Sequence, residues 1–226
     1  MQIVPLGDSA VIIQFGNQIT PDIHRLVSAC ATRLEKEPFS GMVECVPAFT
    51  TITVFYNPLQ LSFKEVCSAL EQTITDMGDT KVNTPRIVEI PVCYGGEFGP
   101  DLMFVAEHNG LTADEVIQIH SSGEYLVYMI GFAPGFPYLG GMSERISTPR
   151  RQVPRLSIPA GTVGIAGMQT GMYPIETPGG WQMIGRTPVS LFRPTHSTPS
   201  LLQSGDMIHF RPISPKEFQE WKEETQ

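Results

Sequence analysis

Between Val82 and Pro215 the chain contains no lysine. That absence removes a Schiff-base amine and the lysine of a phosphate-binding P-loop from the whole stretch. The patterns C-x-x-C, H-E-x-x-H, G-x-S-x-G and G-K-S/T do not occur, and the five histidines (24, 108, 120, 196, 209) show no ligand spacing. Zinc, metalloprotease and serine-hydrolase chemistry therefore has no local support, and no metal is expected. The four cysteines, at 30, 45, 67 and 93, are too widely spaced for a zinc site and have no disulfide framework, so they read as buried reduced thiols. No apolar run approaches the roughly 18 residues of a membrane span, and MQIVPLGDSA lacks the charged start and apolar stretch of a signal peptide. A soluble, cytoplasmic protein is expected. The net charge of −8 argues against general affinity for nucleic acid or anionic membrane.

What is present divides into two textures. The 226 residues suit two domains, placed at 1–82 and 83–226, with GDTKVNTP (78–85) as the linker. The first part alternates strands and helices. AVIIQFG (10–16) reads as a strand, and Thr20-Pro21 caps a helix that Pro38 stops. VECVPAF (43–49) and TITVFYN (51–57) form an antiparallel pair. Ser62 and Glu65 make a capping box for a helix running to Gly78. A further strand near Ile87–Val92 would complete a split βαβ sandwich of ferredoxin type. In the second part, short helices are expected at 101–108 and 112–119, and EYLVYMIGF (124–132) reads as a strand buried on both sides. Residues 131–185 then hold 11 of the 21 glycines and seven of the 20 prolines. Short strand-like pieces (162–167, 181–186, 189–192, 206–210) lie in and beyond that stretch, as in a closed β-barrel or sandwich. The tail PKEFQEWKEETQ reads as a short solvated helix or fraying end.

Three stretches carry candidate chemistry. In GFAPGFPYLGG (131–141), prolines and glycines would hold aromatic rings in fixed positions as a loop across the barrel; a core-filling loop and a pocket or interface wall fit equally. In TPRRQVPR (148–155) an arginine pair on an extended segment suits a bidentate anion contact, against solvated surface charge. Six arginines and one acid, Glu176, lie between Arg145 and Arg193. In GMQTGMYPIETPGGW (167–181), Gln169, Thr170 and Tyr173 offer neutral donors and acceptors, against a hairpin with a packed aromatic. His120-Ser121-Ser122 is a local His/Ser cluster, more readily a polar helix end than part of a triad.

Together, GFAPGFPYLGG, TPR, AGTVGIAGMQTGMYP and TPGGW resemble the B-subunit family of bacterial 5-oxoprolinase (PxpB), also called allophanate hydrolase subunit 1 and including KipI-like inhibitors of sporulation kinases. The likeness runs over nearly the whole chain, with Thr162 standing where the family usually has serine. It implies an α+β protein with a ferredoxin-like N-terminal domain and a cyclophilin-like closed β-barrel. It also implies a PxpC-like (KipA-like) protein as stable partner and a PxpA-like protein as functional partner. ATP would be co-substrate, with or without Mg, and no tightly bound cofactor is expected. The complex would open 5-oxoproline to glutamate. The alternative is a binding module that blocks autophosphorylation of a histidine kinase. Carried onto this chain, the site is lined by Phe132, Phe136 and Tyr138, with Arg150, Gln169, Thr170 and Tyr173 opposite. Arg150 or Arg151 would bind an anion, and His120 is the candidate general base beside a structural reading of the same residue.

Overall fold

The computed structural model describes residues 1–77 and 85–224, with side chains through Trp221. The protein is mixed α/β and divides into two compact units, Met1–Thr84 and Pro85–Gln226. The expected boundary at 82/83, most of the expected linker and the expected helix end at Gly78 lie outside the described residues.

The first unit contains β1 (Gln2–Pro5), β2 (Ala10–Gln14), α1 (Pro21–Lys36), β3 (Met42–Pro47), β4 (Thr51–Tyr56) and α2 (Phe63–Thr75). Local signals set both helix starts: the Thr20 side chain accepts from the Ile23 N–H, and the reciprocal Ser62–Glu65 capping box is formed. Along α1, Val27, Cys30, Ala31 and Leu34 recur at helical spacing and pack with Val11, Ile13, Ile52, Val54, Val66 and Leu70. Each large apolar side chain among them contributes about 1.5–3 kcal/mol on burial. Cys30, inside this core, has its thiol pushed up to about 11 by burial, which makes it inert. The strands form an antiparallel sheet in the order β1-β2-β4-β3. One expectation is corrected here. The strand near Ile87–Val92 does not complete this sheet; its place beside β2 is taken by the short N-terminal β1.

That displaced strand is β5 (Ile87–Tyr94), in the second unit. It is followed by α3 (Leu102–His108), α4 (Ala113–Ser121), β6 (Tyr125–Ile130), β7 (Pro137–Gly140), a 3-10 turn (Glu144–Ile146), β8 (Arg155–Ile158), β9 (Thr162–Ala166), β10 (Gln169–Met172), β11 (Thr177–Gly179), β12 (Gln182–Arg186), β13 (Met207–Pro212) and α5 (Pro215–Glu224). Seven strands form one sheet in the order β10-β9-β12-β5-β13-β6-β7, and β8 pairs with β11 in a separate ribbon. The two edges of the large sheet approach each other: a Cβ on Gly171 of β10 would lie 3.4 Å from the Pro137 carbonyl oxygen of β7. The result is a nearly closed, barrel-like sheet. Its interior is filled by Ile90, Val92, Val127, Leu139, Val163, Ile165, Met172, Ile184 and Ile208, with α3 and α4 adding Leu102, Val105 and Val116.

Four further expectations change. GFAPGFPYLGG is a loop only in its first half, because Pro137–Gly140 forms the edge strand β7. An edge position tolerates proline, whose missing N–H would break a central ladder. β6 is buried on both faces only in part, since Leu126, Met129 and Ile130 keep some exposure. Residues 189–192 form no strand and contribute one isolated bridge, Phe192 to Ser200. The C-terminal helix is docked as well as solvated: Phe218 is buried against Phe98, with ring centroids 4.6 Å apart, and Ser214 with Glu217 forms a capping box.

Candidate functional site

The aromatic loop is shaped by two consecutive turns. Ala133 N–H donates to the Gly131 carbonyl at 2.8 Å, a three-residue γ-turn with Phe132 at its centre and φ +66°. A bulky side chain at positive φ is strained by about 1–3 kcal/mol. Phe136 N–H then donates to the Ala133 carbonyl, with Pro134 and Gly135 (φ +81°) at the two central positions of a type II turn. These turns point Phe132 outward, 71% exposed, and Phe136 inward, 3% exposed.

Phe136 is the hub of a cluster with Ile158, Ala166, Tyr173, Trp181 and Met183. Its ring meets those of Phe132, Tyr138, Tyr173 and Trp181 edge-to-face, at centroid distances of 5.6, 5.2, 5.7 and 5.9 Å. Strand β10 explains why Tyr173 joins it. Alternation sends Thr170 and Met172 to one face and Gly171 to the other, where a Cβ would lie 3.2 Å from both Phe136 and Trp181. Gln169, half-buried at the start of β10, shares the face of Gly171 by the same alternation. Burial raises the Tyr173 phenol to about 12 against the opposing pull of Arg150.

Arg150 is exposed and lies over Trp181, its guanidinium carbon 5.8 Å from the ring centroid. Arg151 faces the other way. Its Nη1 donates to Asp101 Oδ1 at 3.1 Å, and Arg155 grips the same carboxylate with two bonds of 2.8 Å. The segment thus has a compensating acid, contrary to what its local sequence suggests, because Asp101 lies about fifty residues upstream. Arg151 is thus paired with Asp101, whereas Arg150 contacts the Trp181 ring.

His120 and Thr170 are brought together elsewhere, in the barrel interior. His120 has no exposed surface. Its Nε2 lies 2.9 Å from Thr170 Oγ1 and its Nδ1 lies 2.8 Å from Tyr94 Oη. Thr170 spends its one hydroxyl proton on the Gly164 carbonyl at 3.0 Å, so it accepts from Nε2–H, and Nδ1 accepts from Tyr94. The imidazole is a neutral, fully bonded strut, pushed down to about 3 by burial. It is packed against Tyr94, Tyr125 and Phe210.

This enclosure has a measurable consequence. The unfolded histidine takes a proton near 6.5 and the folded one only near 3. Its contribution to stability is therefore complete above about pH 6.5 and is lost as pH falls. Between pH 6.5 and 5.0 the loss is about 2 kcal/mol. Urea unfolding of the wild type should show that loss, and His120→Gln should remove it; identical pH dependence in both proteins would mean that His120 is not enclosed as a neutral ring.

Two concavities, of about 340 and 430 Å³, lie beside α4 and beside the Gly95–Pro100 turn, and neither is lined by any of the nine candidate residues. The aromatic cluster and Arg150 make an open wall. Among the described residues no three His, Cys, Asp or Glu side chains come close enough to hold a metal ion. Trp181, which completes the wall, and Asp101, which orders its arginines, were missed as candidates; TPGGW signalled the first and nothing local signalled the second.

The model of the carboxyltransferase domain, subdomain C and D, matches residues 1–202. The chain is 53% identical to the B subunit of 5-oxoprolinase from Bacillus subtilis (strain 168), over 99% of this chain and 98% of that protein. It belongs to the B-subunit family of 5-oxoprolinase. A second member, from Escherichia coli O157:H7, is 44% identical over 92% of this chain and 94% of its own. A solved structure of a conserved uncharacterised protein of Pyrococcus horikoshii is 51% identical, with a TM-score of 0.58, covering 96% of this chain and 100% of that one. Membership therefore rests on near-complete alignment of both units, not on the motifs alone.

Proposed function

We propose that this chain is the B subunit of an ATP-dependent 5-oxoprolinase that, with PxpA-like and PxpC-like partners, opens 5-oxo-L-proline to L-glutamate, and that it is inactive alone. The observation that carries this reading is the 53% identity across 99% of the chain to a protein named for that activity. A ferredoxin-like N-terminal domain (1–82) and a cyclophilin-like closed barrel (83–226) go with it. The β2-β4-β3 order beside α1 and α2, and the approach of β10 to β7, support those assignments. A cytoplasmic location fits an ATP-consuming enzyme; no helix among the described residues is long and apolar enough to cross a membrane.

The chemistry asks for charge stabilisation. A lactam carbonyl is a poor electrophile, and phosphorylating its oxygen turns that oxygen into part of a leaving group. Negative charge then develops beside an apolar ring. Arg150, held over Trp181 at the edge of the aromatic wall, suits that anion without a lysine or P-loop. Phe132 and Tyr138 offer apolar surface to the ring, while Phe136 and Tyr173 support them from behind. Gln169 is assigned to the ligand side of β10. ATP is the co-substrate, and Mg would arrive on its phosphates. Small ligands bury most of their surface when bound, so an open wall needs a second surface, which the PxpC-like partner would supply.

Mixing this chain with its PxpA-like and PxpC-like partners, ATP and 5-oxoproline should release glutamate, and each component alone should release none. An assembled complex that releases no glutamate overturns the reading. If the same preparation abolishes autophosphorylation of a sporulation histidine kinase, the kinase-inhibitor alternative takes its place.

A further inference from the structure

The segment TPRRQVPR holds three arginines, and the structure treats them differently. Asp101, at the start of α3, is buried, with its side chain 8% exposed. Its carboxylate accepts four hydrogen bonds: Arg155 Nη1 and the Met183 N–H on Oδ2, at 2.8 and 2.7 Å, and Arg155 Nη2 and Arg151 Nη1 on Oδ1, at 2.8 and 3.1 Å. That number fills the acceptor capacity of an ionised carboxylate. Its own N–H donates to the Met183 carbonyl at 2.9 Å, so residue 101 is clamped to β12 through both backbone and side chain.

The start of that strand and the residues just before it carry the rest of the grip. Gln182 Nε2 donates to the Pro149 carbonyl at 2.9 Å, and the Arg151 N–H donates to the Gly180 carbonyl at 2.7 Å. Trp181 lies between those two anchors. Neighbours in the chain, Arg151 bonds Asp101 while Arg150 lies over Trp181. Two guanidinium groups on one carboxylate are also held against their mutual repulsion by that carboxylate.

We propose that Asp101 is a positioning residue: by holding Arg151 and Arg155 it fixes the segment that lays Arg150 over Trp181 and leaves Arg150 as the cation facing the ligand. The assignment rests on Arg150 being the anion-binding group of the reading above, but its geometric half is testable without any activity. Asp101 touches no ligand; it acts through Arg150.

The test uses the full chain with Trp221→Phe, so that Trp181 is the one remaining tryptophan. Asp101→Asn should let the segment lift, shifting Trp181 emission to the red and raising its quenching by acrylamide, as Arg150→Ala should. In the complex reconstituted with the PxpA-like and PxpC-like partners, Asp101→Asn should lower kcat/KM for 5-oxoproline by about 10- to 100-fold, since small misplacements of a binding group cost that much. In an Arg150→Ala background it should cause no further loss, because the two substitutions remove the same interaction. Arg155→Lys keeps the charge but loses the two-pronged grip and, should Asp101→Asn fail to fold, is expected to move Trp181 emission in the same direction. Unchanged Trp181 emission in a folded variant, or losses that multiply in the double variant, overturns the proposal. A wild-type complex without 5-oxoprolinase activity would remove the functional reading and leave the fluorescence arm to decide the geometry.

Discussion

Replacing Arg150 with alanine is expected to lower kcat/KM for ATP-dependent 5-oxoproline opening by about 100-fold in the assembled complex, the loss typical of removing one preorganised charge-stabilising donor. Stability should barely change. Arg150 is exposed, and its stacking on Trp181 contributes only about 0.5–1 kcal/mol. Arg150→Lys should recover a small part of the activity, because an ammonium keeps the charge but loses the planar stack and the forked donors. Arg151→Ala offers a contrast. That side chain is committed to Asp101, so its loss should show first in unfolding curves. Steady-state kinetics beside thermal unfolding of the three variants separates the roles. Full activity in a folded Arg150→Ala complex would remove Arg150 from the site.

Phe136→Ala is expected to destabilise the second unit by about 3–5 kcal/mol, the usual cost of emptying a buried aromatic position. Phe136 is 3% exposed and meets four other rings edge-to-face, so the gap cannot be refilled by one neighbour. Phe132→Ala, at a position 71% exposed, should cost less than about 0.5 kcal/mol yet weaken activity of the complex, since that ring has nothing to pack against on its outer side except a ligand or partner. Chemical denaturation of both variants, with the assembled activity of Phe132→Ala, decides between core and wall for each ring separately. Equal destabilisation by the two would contradict the inward and outward division made by the turns.

The helix starts were legible because their signals are local. Thr20 before Pro21 and Ser62 with Glu65 each act within one turn, and each caps as expected. Strand β9, expected at 162–167 and found at Thr162–Ala166, was legible as well. Ile87–Tyr94 was not. Its pattern says strand, but its partners are β12 and, in parallel, β13, about 120 residues downstream, and nothing in an isolated run chooses between two sheets. His120 shows the same limit at the site. Beside it in sequence stand Ser121 and Ser122; the groups that bond it are Tyr94 and Thr170, 26 and 50 residues away.

The amino-acid sequence by itself determined the family, the absence of lysine between Val82 and Pro215, and the turns that force aromatic rings into non-repetitive positions, since each depends on residues near one another in the chain. Tertiary structure alone decided that Phe136 faces in while Phe132 faces out, that His120 is enclosed and neutral, and that Asp101 binds two of the three arginines and leaves Arg150 over Trp181. Those outcomes depend on burial and on charge pairing between distant segments, and both come into being only when the sheet closes and brings the segments together.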